Sequence, residues 1–302
     1  MLLALWSRTR PVLRFSRQET ALLGVTMLWG FTFLIVHFAM TTSGPLFFVG
    51  LRFVVAGLAT MLVFRRHMAG VTAAEILAGG AIGAAICLAY SLMSYGLQSI
   101  EASKSAFLTA LYVPVVPLLL WLFTGRRPHA MAWLGIVLAF TGLVLVSSPA
   151  AGQLFTQGAG EAATILGAVA IAVEILLIGR YAGRVNFQRV TAIQLLVAGL
   201  CALAAMPLMG EGIPAFSWVW FLGATGLGLI SALIQLTMNW AQQSVSPTKA
   251  TLIYATEPVW AALVGRLAGE RLPGSVLVGG ALIVAAIVAS ELRLRRARQP
   301  AA

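Results

Sequence analysis

The chain has 302 residues, of which 60% are hydrophobic and only 10% are charged, and its formal net charge is +11. A soluble domain carries about 25% charged residues, so this composition excludes a soluble globular protein and indicates an integral membrane protein. The positive charge does not predict nucleic-acid binding, because the basic residues lie in short clusters between apolar runs. The two cysteines, Cys87 and Cys201, lie in apolar runs without metal-ligand spacing, so neither a metal nor another cofactor is predicted.

Residues 1–19 form a basic segment in which apolar side chains alternate with arginines. Such a segment either lies along the membrane surface, facing anionic headgroups, or forms a disordered tail, and the sequence leaves both interpretations open. A cleaved signal peptide is not expected. The apolar run at 21–40 is long enough to span a bilayer, and no small-residue cleavage site follows it.

Ten runs of about 20 mostly apolar residues, the length that a membrane span needs, follow in order. They cover residues 21–40, 46–64, 74–98, 103–123, 130–148, 162–180, 189–208, 216–242, 249–267 and 273–291. Turn-forming or charged residues separate them. The longest loop, 149–160, divides the chain into two sets of five spans.

The two halves of the chain repeat one another. Residues 238–249 align without a gap on residues 93–104, and this offset of 145 residues brings together Lys104 and Lys249, the only lysines. A repeat at half the chain length indicates a duplicated fold. Further along, Val113-Pro114 aligns with Glu257-Pro258 after a slip of one residue. Proline removes a backbone donor and clashes with the preceding turn. We therefore expect helix kinks at Pro114 and Pro258.

The basic residues predict the orientation of the spans. With a cytoplasmic N-terminus, sixteen of the twenty lysines and arginines, including those of the tail at 292–302, lie on the cytoplasmic side. Because five is an odd number, the two sets of spans then insert with opposite orientation. The predicted fold is an all-α integral membrane protein with ten transmembrane helices. They form two inverted five-helix repeats, at 20–148 and 161–291, around a central cavity, as in secondary transporters.

Several short patterns in the chain resemble the EamA family of the drug/metabolite transporter superfamily. They are Leu28-Trp29-Gly30, Leu51-Arg52-Phe53 and, most specifically, Glu257-Pro258-Val259-Trp260 followed by Gly269-Glu270-Arg271-Leu272. The first half departs from this pattern, because Gly125-Arg126-Arg127 stands where the second half has Gly-Glu-Arg. The resemblance covers the chain from about Thr20 to Glu291. It implies a basket of ten helices around a cavity, and export of small metabolites such as amino acids, or of drugs.

Glu257 and Glu174 are carboxylates that lie away from the ends of apolar spans, where an ionisable residue is a functional-site hypothesis by default. Glu257 either holds an amino group of a substrate or exchanges a proton. Alternatively, it accepts a hydrogen bond from a neighbouring helix or from backbone opened by Pro258. Glu174 lies six residues before Arg180, about 9 Å inside the membrane end. It is either a proton or cation site or the partner of an arginine at the cytoplasmic rim.

Two basic residues inside spans carry further hypotheses. Arg52 holds a substrate carboxylate or pairs with Glu257, or else it joins the outer ends of helices through backbone carbonyls. His37, in the last turns of the first span, is a gate or proton relay, or only a helix-end polar residue.

Polar and aromatic side chains recur at a spacing of four in the third and eighth spans, and this spacing places them on one face of a helix. The candidates for the wall of a cavity are Tyr90, Ser94, Tyr95, Gln98, Gln235, Asn239, Trp240 and, on a kinked span, Tyr254. Polar side chains in a span should face the interior of the bundle. Hydrogen bonds between helices, worth about 0.6 kcal/mol each, are the alternative explanation.

These observations predict a secondary transporter that exports small amphipathic metabolites across the cytoplasmic membrane by alternating access. Amino acids are the first choice of substrate and lipophilic cations the second. The expected partners are the substrate and the lipid bilayer; protons and a second copy of the chain, forming a homodimer, are left open. The chain has no Gly-x-x-x-x-Gly-Lys-Ser/Thr loop for an ATP-driven pump. A membrane enzyme would need a nucleophile–base or metal set, and only three histidines are present.

Overall fold

The computed structural model describes residues 16–100, 102–125, 127, 130–147, 158–257, 259–260 and 274–296, and within these ranges it contains helices and no strand. The helices are α1 (Arg17–Ala39), α2 (Pro45–Val63), α3 (Ala73–Gly96), α4 (Ala102–Thr109), α5 (Tyr112–Thr124), α6 (Ala130–Ser147), α7 (Ala159–Tyr181), α8 (Phe187–Ala205), α9 (Trp218–Ala241), α10 (Pro247–Tyr254) and α11 (Gly274–Arg296). The expectation of an all-α protein is confirmed for the described residues.

Among the described residues, six helices are long and apolar enough to cross a membrane, namely α1, α2, α3, α7, α8 with the turn after it, and α9. Shorter apolar stretches lie in the other helices, at Tyr112–Thr124, Trp133–Gly142 and Leu277–Ala286. Many large apolar side chains on these helices are exposed, as expected of surfaces that face lipid tails. The chain is a multi-pass membrane protein.

Local capping decides where the helices begin. Ser16 and Glu19 form a capping box at the start of α1, and Thr72 and Glu75 form another at the start of α3. In each box the hydroxyl accepts from the backbone N–H of the glutamate, whose carboxylate accepts from the cap residue. The first helix therefore begins four residues before the apolar run that predicted it.

The fourth span of the first half is interrupted rather than continuous. Helix α4 ends at Thr109 and α5 begins at Tyr112, so the interruption precedes Pro114, which lies in the first turn of α5. A proline lacks the N–H that would bond to the carbonyl four residues earlier, and its ring clashes with that carbonyl. In the second half, α10 ends at Tyr254, and Pro258 itself lies outside the described residues.

The helices of each half pack on the other half in the same way: the main contacts between the halves have equivalents with the two halves interchanged. Helix α2 packs on α8, its counterpart in the other half, and α6 packs on α11. Helix α3 packs on α7 and α8, and α9 packs on α1 and α2. Glycine permits the closest approaches: a Cβ atom at Gly142 of α6 would lie 2.5 Å from the carbonyl oxygen of Gly279 of α11.

Candidate functional site

A partly open cavity of about 600 Å³, including its mouth, lies among helices of both halves of the chain. Its wall includes the second half of α1, the end of α3, the break between α4 and α5, and parts of α2, α7 and α9. The charged residues in the wall are Arg52, Glu174 and Glu257. The aromatic residues are Trp29, Phe33, Tyr90 and Tyr112. The mixture of rings and charges suits an amphipathic ligand.

Arg52 is 3% exposed, and α2 carries it to the cavity wall. Its Nε–H donates to the hydroxyl of Ser231 on α9 at 2.8 Å. The guanidinium carbon lies 5.1 Å from the ring centre of Tyr90 and 5.4 Å from that of Phe53, which are cation–π distances. Among the described residues, Ser231 is the only hydrogen-bond partner of Arg52, so the two terminal nitrogens are available to a ligand.

The two buried carboxylates differ in their surroundings. Glu174 is 2% exposed, and its Oε1 accepts a hydrogen bond of 2.7 Å from Nε2 of Gln235. Glu257 is 9% exposed, and within the described part of the chain its carboxylate has neither a hydrogen bond nor an ion pair. Two of the alternatives from the sequence are therefore not observed in this region. Glu257 does not pair with Arg52, and Glu174 bonds to an amide rather than to a rim arginine.

The polar stripe of α3 reaches the cavity only in part. Tyr90 and Ser94 line it, whereas Tyr95 is 45% exposed and Gln98 is also exposed, and neither lines the cavity. Tyr95 is turned by about 100° around the helix axis from Ser94, which directs it away. Gln98 lies past the end of α3 at Gly96, so the spacing of four no longer keeps it on the same face.

The polar stripe of α9 lies between helices rather than on the cavity wall. Gln235 and Asn239 are buried and hydrogen-bonded to Gln194 of α8, so the alternative of bonds between helices describes them better. Trp240 is half-buried against the apolar core. Gln194 was not among the predicted residues; it is the single amide in the apolar stretch 190–203, and its isolation there is the one feature of the sequence that marks it.

Tyr254 and His37 are near the cavity but do not line it. The Tyr254 ring is completely buried and packs edge-on against Trp29, with ring centres 5.1 Å apart. His37 is half-buried at the end of α1, one residue after the cavity residue Val36. Its Nδ1 is buried and has no hydrogen-bond partner among the described residues.

Contacts between α1 and the α10 region lie to one side of the cavity, along the first half of α1. Lys249 pairs with Glu19 near the start of α1, and the hydroxyls of Thr26 and Thr256 lie 3.0 Å apart. The edge-on contact between Trp29 and Tyr254 continues this line of contacts to the cavity. The cavity itself lies beside the later part of α1, from Trp29 to Val36.

A mostly apolar cavity that holds three charged side chains, inside a bundle of membrane-spanning helices, is typical of a membrane transporter. The model of the EamA-like transporter family matches residues 18–148 and, separately, residues 158–291. These two matches cover most of the chain, which therefore belongs to the EamA-like transporter family. This agrees with the resemblance seen in the sequence.

Individual relatives support the same assignment. YedA of Escherichia coli (strain K12), described as an uncharacterized inner membrane transporter, is 26% identical over 281 residues, covering 89% of this chain and 88% of its own. A transporter of Archaeoglobus fulgidus is 25% identical over 276 residues, covering 89% and 84%. A solved crystal structure shares the fold with a TM-score of 0.76 at 18% identity, covering 95% of this chain and 99% of that chain.

Replacing Ser231 with alanine should destabilise the protein. Ser231→Ala leaves the buried Nε–H of Arg52 without its acceptor, which should cost about 1–2 kcal/mol. Unfolding of the detergent-purified protein by heat or denaturant measures this loss. The matched control is Ser105→Ala, which removes a fully buried hydroxyl without a hydrogen-bond partner among the described residues. Equal stability of the two variants would contradict the role of Ser231.

Proposed function

We propose that this chain is a secondary transporter that exports small zwitterionic metabolites, amino acids first, across the cytoplasmic membrane by alternating access. The proposal is supported by a guanidinium and a carboxylate that line the same cavity and can still form hydrogen bonds to a ligand. Neither terminal nitrogen of Arg52 is hydrogen-bonded to a described residue, and neither is the carboxylate of Glu257. Both groups are buried, so their interactions with a ligand are screened little by water.

The charges fit the two ends of an amino acid. The planar fork of Arg52 can bind a carboxylate through two parallel hydrogen bonds. Glu257 and the free oxygen of Glu174 can accept hydrogen bonds from an ammonium group. The rings of Trp29, Phe33 and Tyr112 provide apolar surface for the rest of the ligand.

A lipophilic cation is the second candidate substrate. The cavity wall contains two carboxylates and one arginine, so it has a net negative charge when all three groups are ionised. Aromatic rings can also bind a cation through their faces. A ligand without a carboxylate would use the glutamates and the rings but would have no need of Arg52.

The transport mechanism proposed here depends on two inverted repeats of five spans, at 20–148 and 161–291, with both termini in the cytoplasm. The family matches at 18–148 and 158–291 support the duplication. The exchange of packing partners between the halves supports a twofold arrangement of the helices. The bias of basic residues supports the orientation. Of the proposed cytoplasmic segments 1–19 and 292–302 and the connecting loop 149–160, residues 1–15, 297–302 and 149–157 lie outside the described residues.

Alternating access then requires that one end of the cavity be closed while the other is open. The contacts of Glu19 with Lys249, Thr26 with Thr256, and Trp29 with Tyr254 are proposed as the closed end, which faces the cytoplasm in this orientation. Separation of α1 from the α10 region would open the cavity to that side. Proton binding by Glu257 is proposed to couple this movement to the proton gradient.

Arg52→Lys should select against substrates that carry a carboxylate. Lysine keeps the positive charge but lacks the two-pronged geometry, so counterflow of an amino acid into liposomes should fall about tenfold or more, mainly through KM. Counterflow of the corresponding amine, which lacks the carboxylate of that amino acid, should change by less than about threefold. Arg17→Lys, at an exposed position, is the matched control. Equal losses for both ligands would discard the carboxylate-binding role.

Glu257→Gln should remove the pH dependence of counterflow. Glutamine has nearly the same shape as glutamate but cannot bind or release a proton in this pH range. Counterflow measured from mildly acidic to alkaline pH should therefore become flat, with folding verified by size-exclusion chromatography. A variant with the rates and pH profile of the wild-type protein would eliminate Glu257 as the proton-binding group.

Joining α1 to the α10 region should stop transport without unfolding the protein. In a background with Cys87→Ala and Cys201→Ala, the pair Thr26→Cys and Thr256→Cys places two thiols where hydroxyls now lie 3.0 Å apart. Oxidation should abolish counterflow, and reduction should restore it. Each single cysteine variant, treated identically, should keep its activity. Full counterflow by the cross-linked protein would show that this contact is not a gate.

A further inference from the structure

A chain of three amides leads from the interface between α8 and α9 to the carboxylate of Glu174. Nδ2 of Asn239 donates to Oε1 of Gln194 at 3.2 Å, and Nε2 of Gln194 donates to Oε1 of Gln235 at 2.8 Å. Nε2 of Gln235 then donates to Oε1 of Glu174 at 2.7 Å. All four side chains are at most 5% exposed. The chain is thus completely enclosed by protein, and only Glu174 lines the cavity.

The direction of this chain follows from its last member. An ionised carboxylate can only accept hydrogen bonds, so Gln235 must present its nitrogen to Glu174. The oxygen of Gln235 must then accept, which requires the nitrogen of Gln194. The oxygen of Gln194 accepts in turn from Asn239, whose nitrogen also donates to the backbone oxygen of Gln235 at 2.9 Å. A reversal of any amide would bring two acceptors or two donors together.

We propose that Gln194 is a positioning residue for Glu174: it holds the Gln235 amide as a donor and thereby keeps an ionised carboxylate directed at the cavity. Gln194 does not line the cavity and would act only through Gln235. The inference rests on the proposed function for the statement that this carboxylate receives the ammonium group of a substrate. Its effect on the carboxylate itself does not depend on transport.

Other polar groups near Glu174 do not take the place of this chain. Tyr90 of α3 and Tyr254 of α10 are the titratable groups that approach it from neighbouring helices, and Arg52 and Glu257 share its cavity. Within the described residues, the only hydrogen bond to the Glu174 carboxylate comes from Gln235. The oxygen not bonded to Gln235 is therefore the one available to a ligand.

Labelling with dicyclohexylcarbodiimide tests the proposal without a substrate. This apolar reagent adds to a protonated carboxyl group and leaves a stable acylurea, which mass spectrometry detects on the peptide that contains Glu174. Gln194→Met removes the amide while nearly keeping its shape, so the protonated form of Glu174 should be more populated. At a pH where Glu174 of the wild-type protein reacts slowly, its initial labelling rate should rise about threefold to tenfold. Gln235→Met should raise the rate at least as much.

The protein contains two matched controls for this experiment. Glu257 is a buried carboxylate in the same cavity without a hydrogen bond to described residues, so its labelling should change by less than about twofold in either variant. Gln242 is 4% exposed and lies outside this chain of amides; Tyr254 is its polar neighbour, and neither side chain forms a hydrogen bond of normal geometry to the described residues. Gln242→Met therefore removes a buried amide outside the chain and should leave the labelling of Glu174 unchanged.

Three results would overturn the proposal. They are equal labelling of Glu174 in the wild-type and Gln194→Met proteins, an equal rise at Glu257, and a similar rise in Gln242→Met. Should Gln194→Met not fold, Asn239→Leu releases the Gln194 amide instead and should raise Glu174 labelling by a smaller factor. Unchanged labelling in that variant would count equally against the proposal.

Counterflow separates this inference from the proposed function. In a transporting protein, Gln194→Met should raise KM for an amino acid about fivefold or more, with little change in kcat. The same substitution should have no further effect in a Glu174→Gln background, because Gln194 acts through that carboxylate. A wild-type protein that shows no counterflow would refute the proposed function, while the labelling result would still decide the role of Gln194.

Discussion

Ionisable groups buried between helices impose the constraint on which this structure depends. Hydrocarbon offers neither hydrogen bonds nor counter-charges, so each such group needs a partner in the protein or in a ligand. Glu174 has the amide of Gln235, and Arg52 has Ser231 and the face of the Tyr90 ring. Glu257 has no hydrogen-bond partner among the described residues. The protein therefore holds Arg52 and Glu174 in place and leaves some of their polar atoms, and those of Glu257, available for hydrogen bonds to a ligand.

The interrupted helix brings polar and aromatic side chains to this cavity. Thr109 ends α4 and Tyr112 begins α5, and both line the wall on either side of the break. Glu257 occupies the corresponding place in the second half, three residues after α10 ends at Tyr254. Irregular backbone at membrane depth is tolerated where it borders a cavity or is buried in protein. The break thus directs Thr109 and Tyr112 into the same cavity, whereas a continuous helix would change their relative directions.

Particular residues show where sequence reasoning succeeded and where it stopped. Tyr90 and Ser94 were selected by helical spacing and do line the cavity, because α3 is regular over that stretch. Gln98 was selected by the same spacing, but the helix ends at Gly96, two residues before the end of the predicted span. Helical spacing therefore does not apply to Gln98. Gln194 was overlooked because an isolated glutamine carries no pattern. Its importance depends on α8 packing beside α9, which local sequence does not report.

The sequence by itself determined the class of protein and the family, and it predicted the six long apolar helices of the described residues to within about four residues at each end. These properties follow from local rules: about 20 apolar residues cross a bilayer, and turn residues and arginines mark the ends of spans. Tertiary structure alone decided which polar groups meet, such as Arg52 with Ser231 and Gln194 with Gln235. The physical reason is that a contact depends on the rotation and depth of two helices at once. Both are set by packing between surfaces far apart in the chain.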